Sequence, residues 1–203
     1  LKKYKYINKR TLHQYNMQVA IFIGSPRKNG NTFAMANLLA EQLKDEEIDV
    51  DVFDLYDHDI EPCIDCRECN KEQLICMQSD GMKKLYAKME ESDVLVFGTP
   101  VYWFGASGRT KLMIDRFKPY FVNKKLYGKK AALLLPSAVQ IDERDLTIEQ
   151  FRRLFKALGI EYLDAISMEA YEKGDVLKNE NFHNLIIDLK DRILQSQHNV
   201  LEK

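Results

Sequence analysis

The sequence predicts an α/β fold, a five-stranded parallel sheet with helices packed on both faces. Three observations lead there. Short apolar runs rich in β-branched residues recur along the 203 residues, and segments with helical apolar spacing separate them. Parallel strands joined by helices require right-handed crossovers, which cover both faces of the sheet. The first apolar run, residues 19–23, passes through a polar loop directly into a helical pattern that starts at Thr32.

The elements follow in order. Val-Ala-Ile-Phe-Ile at 19–23 suits a strand buried on both faces. Ala36, Leu39, Ala40 and Leu43 fall at i, i+3, i+4 and i+7, which makes 32–45 an amphipathic helix. Residues 48–55 alternate apolar with acidic residues, as an edge strand does. An irregular stretch bearing the cysteines occupies 56–79. Asp80 can cap a helix running to about residue 91, with Met82, Leu85, Tyr86 and Met89 on its inner face. A third strand covers 94–98, a helix 107–118, and a fourth strand 131–135. Phe151, Leu154, Phe155 and Leu158 mark a helix over 147–158 that Gly159 closes. A fifth strand at 162–168 and a helix over 175–197 complete the chain. In the flavodoxin-like three-layer sandwich, with strand order 2-1-3-4-5, the loops after the first and third strands meet at the switch point where ligands bind.

Composition sets the frame. A hydrophobic content of 45% supports one domain with a sizeable core, and a net charge of −1 gives no field for nucleic acid or an anionic membrane. No apolar run reaches the length of a membrane span and no signal peptide is visible. All four cysteines lie between 63 and 76, unlike a disulfide framework, so a cytoplasmic protein is expected. Residues 1–16 form an N-terminal extension with five basic residues and no acid. It reads either as an upstream segment without a catalytic part or as an arm packing on a partner subunit. Residues 17–203 then form the domain, with the cysteine-bearing insert at about 56–79.

The loop Gly24-Ser25-Pro26-Arg27-Lys28-Asn29-Gly30-Asn31 between strand and helix gathers hydroxyls, an amide, a guanidinium and the amides of a helix N-terminus. Its glycines have neither the Walker spacing nor the dinucleotide fingerprint. A phosphomonoester held by hydroxyls and backbone N–H groups remains. The loop after the third strand, Thr99-Pro100-Val101-Tyr102-Trp103-Phe104, carries three consecutive aromatics that would expose large apolar area unless covered. A flat ring could cover them, or a neighbouring subunit.

The run from Gly24 to Thr32, the cysteine cluster, and Thr99-Pro100-Val101-Tyr102-Trp103 followed by Lys111-x-x-x-Asp115-Arg116 resemble the NADPH-dependent FMN reductase-like superfamily, and more narrowly its iron–sulfur flavoprotein branch. The resemblance covers roughly residues 17–200. It implies a flavodoxin-like fold with FMN across the first and third strand–helix loops. Ser25, Arg27, Asn31 and Thr32 would hold the phosphate, and Pro100, Val101, Tyr102, Trp103 and Phe104 would border the ring. Lys111, Asp115 and Arg116 are assigned to helix packing or subunit contacts. A homodimer or homotetramer is expected by the same analogy. One departure is the loop 136–143, which has no glycine where relatives often carry a glycine-rich turn. Ser137 is within reach of the ring there, and no role rests on it.

Cys63-x2-Cys66-x2-Cys69-x6-Cys76 is the sharpest spacing in the chain. Three thiols within seven residues can wrap one face of a cubane and a fourth can close it, although the bacterial ferredoxin run has a shorter last gap and a following Pro. Four thiolates also suit zinc, and unligated thiols are the third reading. The resemblance implies a [4Fe–4S] cluster exchanging electrons with FMN. Nearby Glu61, Asp65, Glu68 and Glu72 either lower the potential of such a site or form a solvated acidic loop. Hydride transfer at a flavin requires no acid–base dyad, and His13, His58, His183 and His198 are scattered. Two functions of different class follow. One is an oxidoreductase that moves electrons from NAD(P)H or a reduced carrier through FMN to a quinone, a flavin or another acceptor. The other is an electron-transfer shuttle between protein partners, with a redox-sensing module as a weaker third.

Overall fold

The computed structural model describes residues 17–71, 74–138 and 141–198, so the basic extension and its expected arm lie outside the described residues. The strands are β1 (Gln18–Ile23), β2 (Asp49–Asp54), β3 (Val94–Gly98), β4 (Val101–Tyr102), β5 (Gly105–Ala106), β6 (Lys130–Ser137) and β7 (Glu161–Glu169). The helices are α1 (Asn31–Lys44), α2 (Met82–Glu91), α3 (Gly108–Asp115), α4 (Lys118–Asn123), α5 (Ile141–Leu158) and α6 (Phe182–His198). Five strands form a single parallel sheet in the order β2-β1-β3-β6-β7, which is the flavodoxin-like 2-1-3-4-5 order expected from the sequence. The acid-alternating strand β2 lies at the edge, as its pattern requires.

Period-two alternation divides the core into two layers. Val19, Ile21 and Ile23 of β1, with Val94 and Val96 of β3, pack under α1 and α6. Ala20 and Phe22, with Leu95 and Phe97, face α2 to α5 on the other side. There Phe97 stacks on Phe22 at 5.6 Å and meets Phe151 and Phe155 of α5 at 5.6 and 5.7 Å between ring centroids. These contacts fix α5 against the sheet, and β6, with residues in both core layers, is buried along its length. No helix among the described residues is long and apolar enough to cross a membrane.

Three boundaries differ from the sequence expectation, each for a local reason. The helix expected over 107–118 ends at Asp115, and α4 follows as a separate helix with Pro119 in its first turn. Proline has no N–H to continue the ladder and crowds the preceding turn. Helix α5 starts six residues before Thr147 because its early inward positions include Arg144 and Thr147, buried polar residues that an apolar pattern skips. The last helix is preceded by a 3-10 turn at Asp175–Lys178. The Asp175 carboxylate accepts from the N–H groups of Tyr171 and Glu172, and Asn179 Oδ1 from that of Asn181, local bonds that compete with a continuous helix.

Candidate functional site

Two concavities carry the residues singled out from the sequence. The first is an open cleft at the carboxyl edge of the sheet. Ser25, Arg27, Asn31 and Thr32 line it from the first loop, and Pro100, Val101 and Tyr102 from the third-strand loop. The topology brings them together because β1 and β3 are neighbours whose helices leave on opposite faces.

The first loop is pinned from below. Gly24 N–H donates to the Gly98 carbonyl at 2.8 Å, and the Ser107 hydroxyl donates to the Gly24 carbonyl at 2.5 Å. The same Ser107 oxygen caps α3 by accepting from Thr110 N–H. A tight turn follows, with Gly30 N–H bonded to the Arg27 carbonyl at 2.8 Å and Asn29 in the left-handed region at φ 61°. Helix α1 begins after Gly30 with no side chain capping its first turn. Its N-terminal amides therefore remain for an acceptor in the cleft, beside the buried hydroxyl residues Ser25 and Thr32.

Asn31, expected at the phosphate, lines the cleft and also bonds across the fold. Its Nδ2 donates to the Glu172 carbonyl at 2.8 Å, and its Oδ1 accepts from Gly174 N–H at 2.9 Å and Val176 N–H at 3.4 Å. The side chain thus ties the loop after β7 to the start of α1, and Arg27 adds a bond from Nη1 to the Tyr171 carbonyl at 3.3 Å. Asn31→Ala is expected to cost about 1–3 kcal/mol by orphaning these groups. Denaturant unfolding reads the loss, and faster amide exchange at Gly174 and Val176 localises it.

Trp103 and Phe104 stand outside the cleft lining. They form the tip of the β4–β5 hairpin with φ 49° and 64°, the left-handed pair that a type I′ turn demands. That turn normally takes Asn or Gly, and Trp103 is 95% exposed. The sequence reading missed Pro136, Ala170, Tyr171 and Lys173, which complete the wall. Ser137, on which no role rested, lines the cleft as well. Lys173 adds a second cation to the cleft lining, besides Arg27. Its signal was weak, a polar segment after the fifth strand, and only the strand order brings that segment to the first loop.

The second concavity is a shallow hollow lined by Cys63, Cys66, Cys69 and Cys76 together with Arg116. All four cysteines are free thiols. Burial pushes the Cys69 thiol upward. Among the described residues no three His, Cys, Asp or Glu side chains converge on one ion position. Asp65, Arg67 and Leu74 adopt φ of 48°, 61° and 50°, conformations that turn the insert back on itself at a cost in strain. Gln78 Nε2 bonds the Pro62 carbonyl at 3.1 Å, and Asn123 Nδ2 bonds that of Leu74 at 2.9 Å, so the loop is stapled at both ends. Four soft thiols line this one hollow, a donor set whose chemistry suits zinc or iron–sulfur ligation.

Arg116 departs from the helix-packing role expected of it. Its guanidinium grips Asp80 through two N–H···O contacts of 2.6 and 3.2 Å and donates to Cys76 Sγ at 3.3 Å. Burial opposes both charges, and their mutual bonds outweigh it, holding the Asp80 carboxyl below the usual range and Arg116 above its own.

Residues 17–170 match the family described as NADPH-dependent FMN reductase. An iron–sulfur flavoprotein of Methanocaldococcus jannaschii is 31% identical over 139 residues, covering 68% of this chain and 72% of that protein. Against several other iron–sulfur flavoproteins the match spans about half of the relative's length. An NAD(P)H-dependent FMN-containing oxidoreductase of Bacillus subtilis is 26% identical over 171 residues, 80% of this chain and 91% of that one. The fold matches the NAD(P)H:quinone oxidoreductase of Methanothermobacter marburgensis with a TM-score of 0.64 at 16% identity, over 87% of this chain and 94% of that one. The family match runs from the start of β1 to the end of β7 and takes in both cleft loops and the cysteine run between them: the chain belongs to the NADPH-dependent FMN reductase family.

Proposed function

We propose that this protein is an FMN-dependent oxidoreductase of the iron–sulfur flavoprotein type. It takes electrons from NAD(P)H or a reduced carrier and delivers them to a quinone, a flavin or another acceptor. The observation that carries this reading is the convergence of an uncapped helix N-terminus, two buried hydroxyl residues and two cations on one cleft at the switch point. Ser25, Thr32 and the first amides of α1 would seat the phosphate, with Arg27 and Lys173 balancing its charge. Pro100, Val101 and Tyr102 would border the ring, and Pro136 and Ala170 would close the opposite wall and keep water from it. FMN, when bound, supplies hydride acceptance at N5 and one-electron exchange. No side chain need move a proton for that chemistry.

Cys63, Cys66, Cys69 and Cys76 would hold a [4Fe–4S] cluster, which supplies one-electron storage when bound. Helix α3 connects the two sites. Ser107 at its start holds the flavin loop and Arg116 at its end holds the cysteine loop, and eight residues at 1.5 Å each span about 12 Å. The exposure of Cys63 and Cys66 favours a second reading, a shuttle that exchanges electrons with protein partners at that face. Assembly into a homodimer or homotetramer would cover the exposed Trp103 tip, and reduced thiols suit the cytoplasm.

The deciding experiment is the absorption spectrum of anaerobically purified protein before and after dithionite, with iron and sulfide assayed on the same sample. Steady-state NADH and NADPH oxidation follows on that sample. Flavin bands with turnover of a small acceptor support the enzyme. Flavin without turnover unless a protein donor is present supports the shuttle, and absence of flavin after FMN addition refutes both.

A further inference from the structure

We propose that Arg116 is the positioning residue of the four-cysteine site, holding Cys76 in place and tuning the reduction potential of the group bound there. The proposal rests on the iron–sulfur reading of that site.

The geometry singles this side chain out. It is fully buried, and Asp80, its carboxylate partner, is 6% exposed. A guanidinium withdrawn from water is costly unless each contact is well made. Here Nη1 meets Asp80 Oδ2 at 2.6 Å and the Glu61 carbonyl at 2.7 Å, while Nη2 meets Asp80 Oδ1 at 3.2 Å and Cys76 Sγ at 3.3 Å. Glu61 and Asp80 flank the cysteine run on its two sides. One planar fork therefore joins both ends of the insert to the fourth cysteine, a task that the point charge of a lysine cannot repeat. The Arg116 backbone is fixed in turn, because the Tyr86 hydroxyl donates to its carbonyl at 2.5 Å. Its Nε is buried without a partner, so the fork is aimed at the Nη contacts rather than at filling its own bonding capacity.

The electrostatic consequence follows from the pairing. Asp80 neutralises the guanidinium, so the sulfur receives an N–H donor from a nearly neutral pair. Hydrogen bonds to ligand sulfur favour the more negative, reduced state and raise the potential. Removing the guanidinium leaves a buried carboxylate facing the site and lowers the potential. Removing the carboxylate charge leaves a cation there and raises it. A role confined to packing moves both variants in one direction or neither.

The test uses the full chain, purified and reconstituted without oxygen with iron and sulfide, as wild type, R116Q, R116K and D80N. Flavin content and circular dichroism confirm folding, and redox titration followed by electron paramagnetic resonance gives the midpoint. R116Q is expected to disfavour reduction about tenfold, a midpoint about 59 mV more negative for one electron. R116K should fall between it and wild type, and D80N should shift the opposite way. If R116Q does not fold, R116K and D80N carry the same opposition of sign. Wild type that binds no iron and sulfide overturns the cluster reading and the proposal together. Wild type that binds them while R116K and D80N keep its midpoint and iron content overturns the role of Arg116 alone.

Discussion

Gly24→Ala is expected to weaken FMN binding at least about 100-fold, some 2.8 kcal/mol at 1.4 kcal/mol per decade. A Cβ at this position would lie 1.8 Å from Thr110 Oγ1 and 3.1 Å from Ser107 Oγ. Neither neighbour can give way cheaply. Ser107 caps α3 and bonds the Gly24 carbonyl, and its hydroxyl also contacts that of Thr110 at 3.0 Å. The methyl therefore displaces either the first loop, which lines the cleft, or the start of α3, which pins that loop through Ser107. Overpacking of this kind costs about 1–3 kcal/mol of stability as well. Fluorescence titration of the flavin-free protein with FMN measures the first effect and thermal unfolding the second. Gly108→Ala is the control, because a Cβ there meets nothing within 4 Å and alanine suits a helix better. A flavin affinity for Gly24→Ala equal to that of this control would refute the packing argument.

The alternation of strands and helices was legible in the sequence because the apolar runs are short and well separated, whereas the order of the sheet came from the flavodoxin-like resemblance and not from periodicity. The first loop was legible for a local reason, since hydroxyls, an arginine and a helix start fall within eight residues. What stayed hidden depends on contacts far apart in sequence. Asn31 reads as an anion donor when seen beside Ser25, and its bonds to residues 172–176, more than 140 positions away, left no trace in the sequence. Lys173 and Tyr171 belong to the cleft only because β7 ends beside β6. The aromatic trio read as one wall, whereas the hairpin turn separates Tyr102 from Trp103 and Phe104. Arg116 showed nothing in sequence of its bond to Cys76, 40 positions upstream. Each of these turns on a side chain reaching across the fold, and apolar periodicity carries no record of such reach.

On the proposed cluster reading of the four cysteines, Cys69→Ser is expected to remove iron and sulfide while leaving the flavin in place. A serine oxygen is a hard ligand where the site offers soft thiolates, and the change leaves three of the four donors. Loss of an outer partner alone lowers metal affinity 10–100-fold, so loss of a direct ligand should cost at least about 100-fold. Cys69 is the informative choice because it sits half-buried on the 3-10 turn Glu68–Asn70, where its sulfur has little freedom to be replaced by a neighbour. The fold should tolerate the exchange. Among the described residues, none of the cysteine insert lines the flavin cleft, and neither core layer draws on positions 61–80. FMN stoichiometry and thermal stability should therefore match wild type while the iron signal is lost. Retention of full iron would exclude Cys69 as a ligand, and loss of flavin together with iron would show that the insert supports the cleft after all. The kinetic corollary separates the two roles assigned to the protein. If the flavin alone sustains turnover, NAD(P)H oxidation with a two-electron acceptor such as a quinone persists in the variant. If electrons must leave through the cysteine face, exchange with a one-electron protein partner collapses there first.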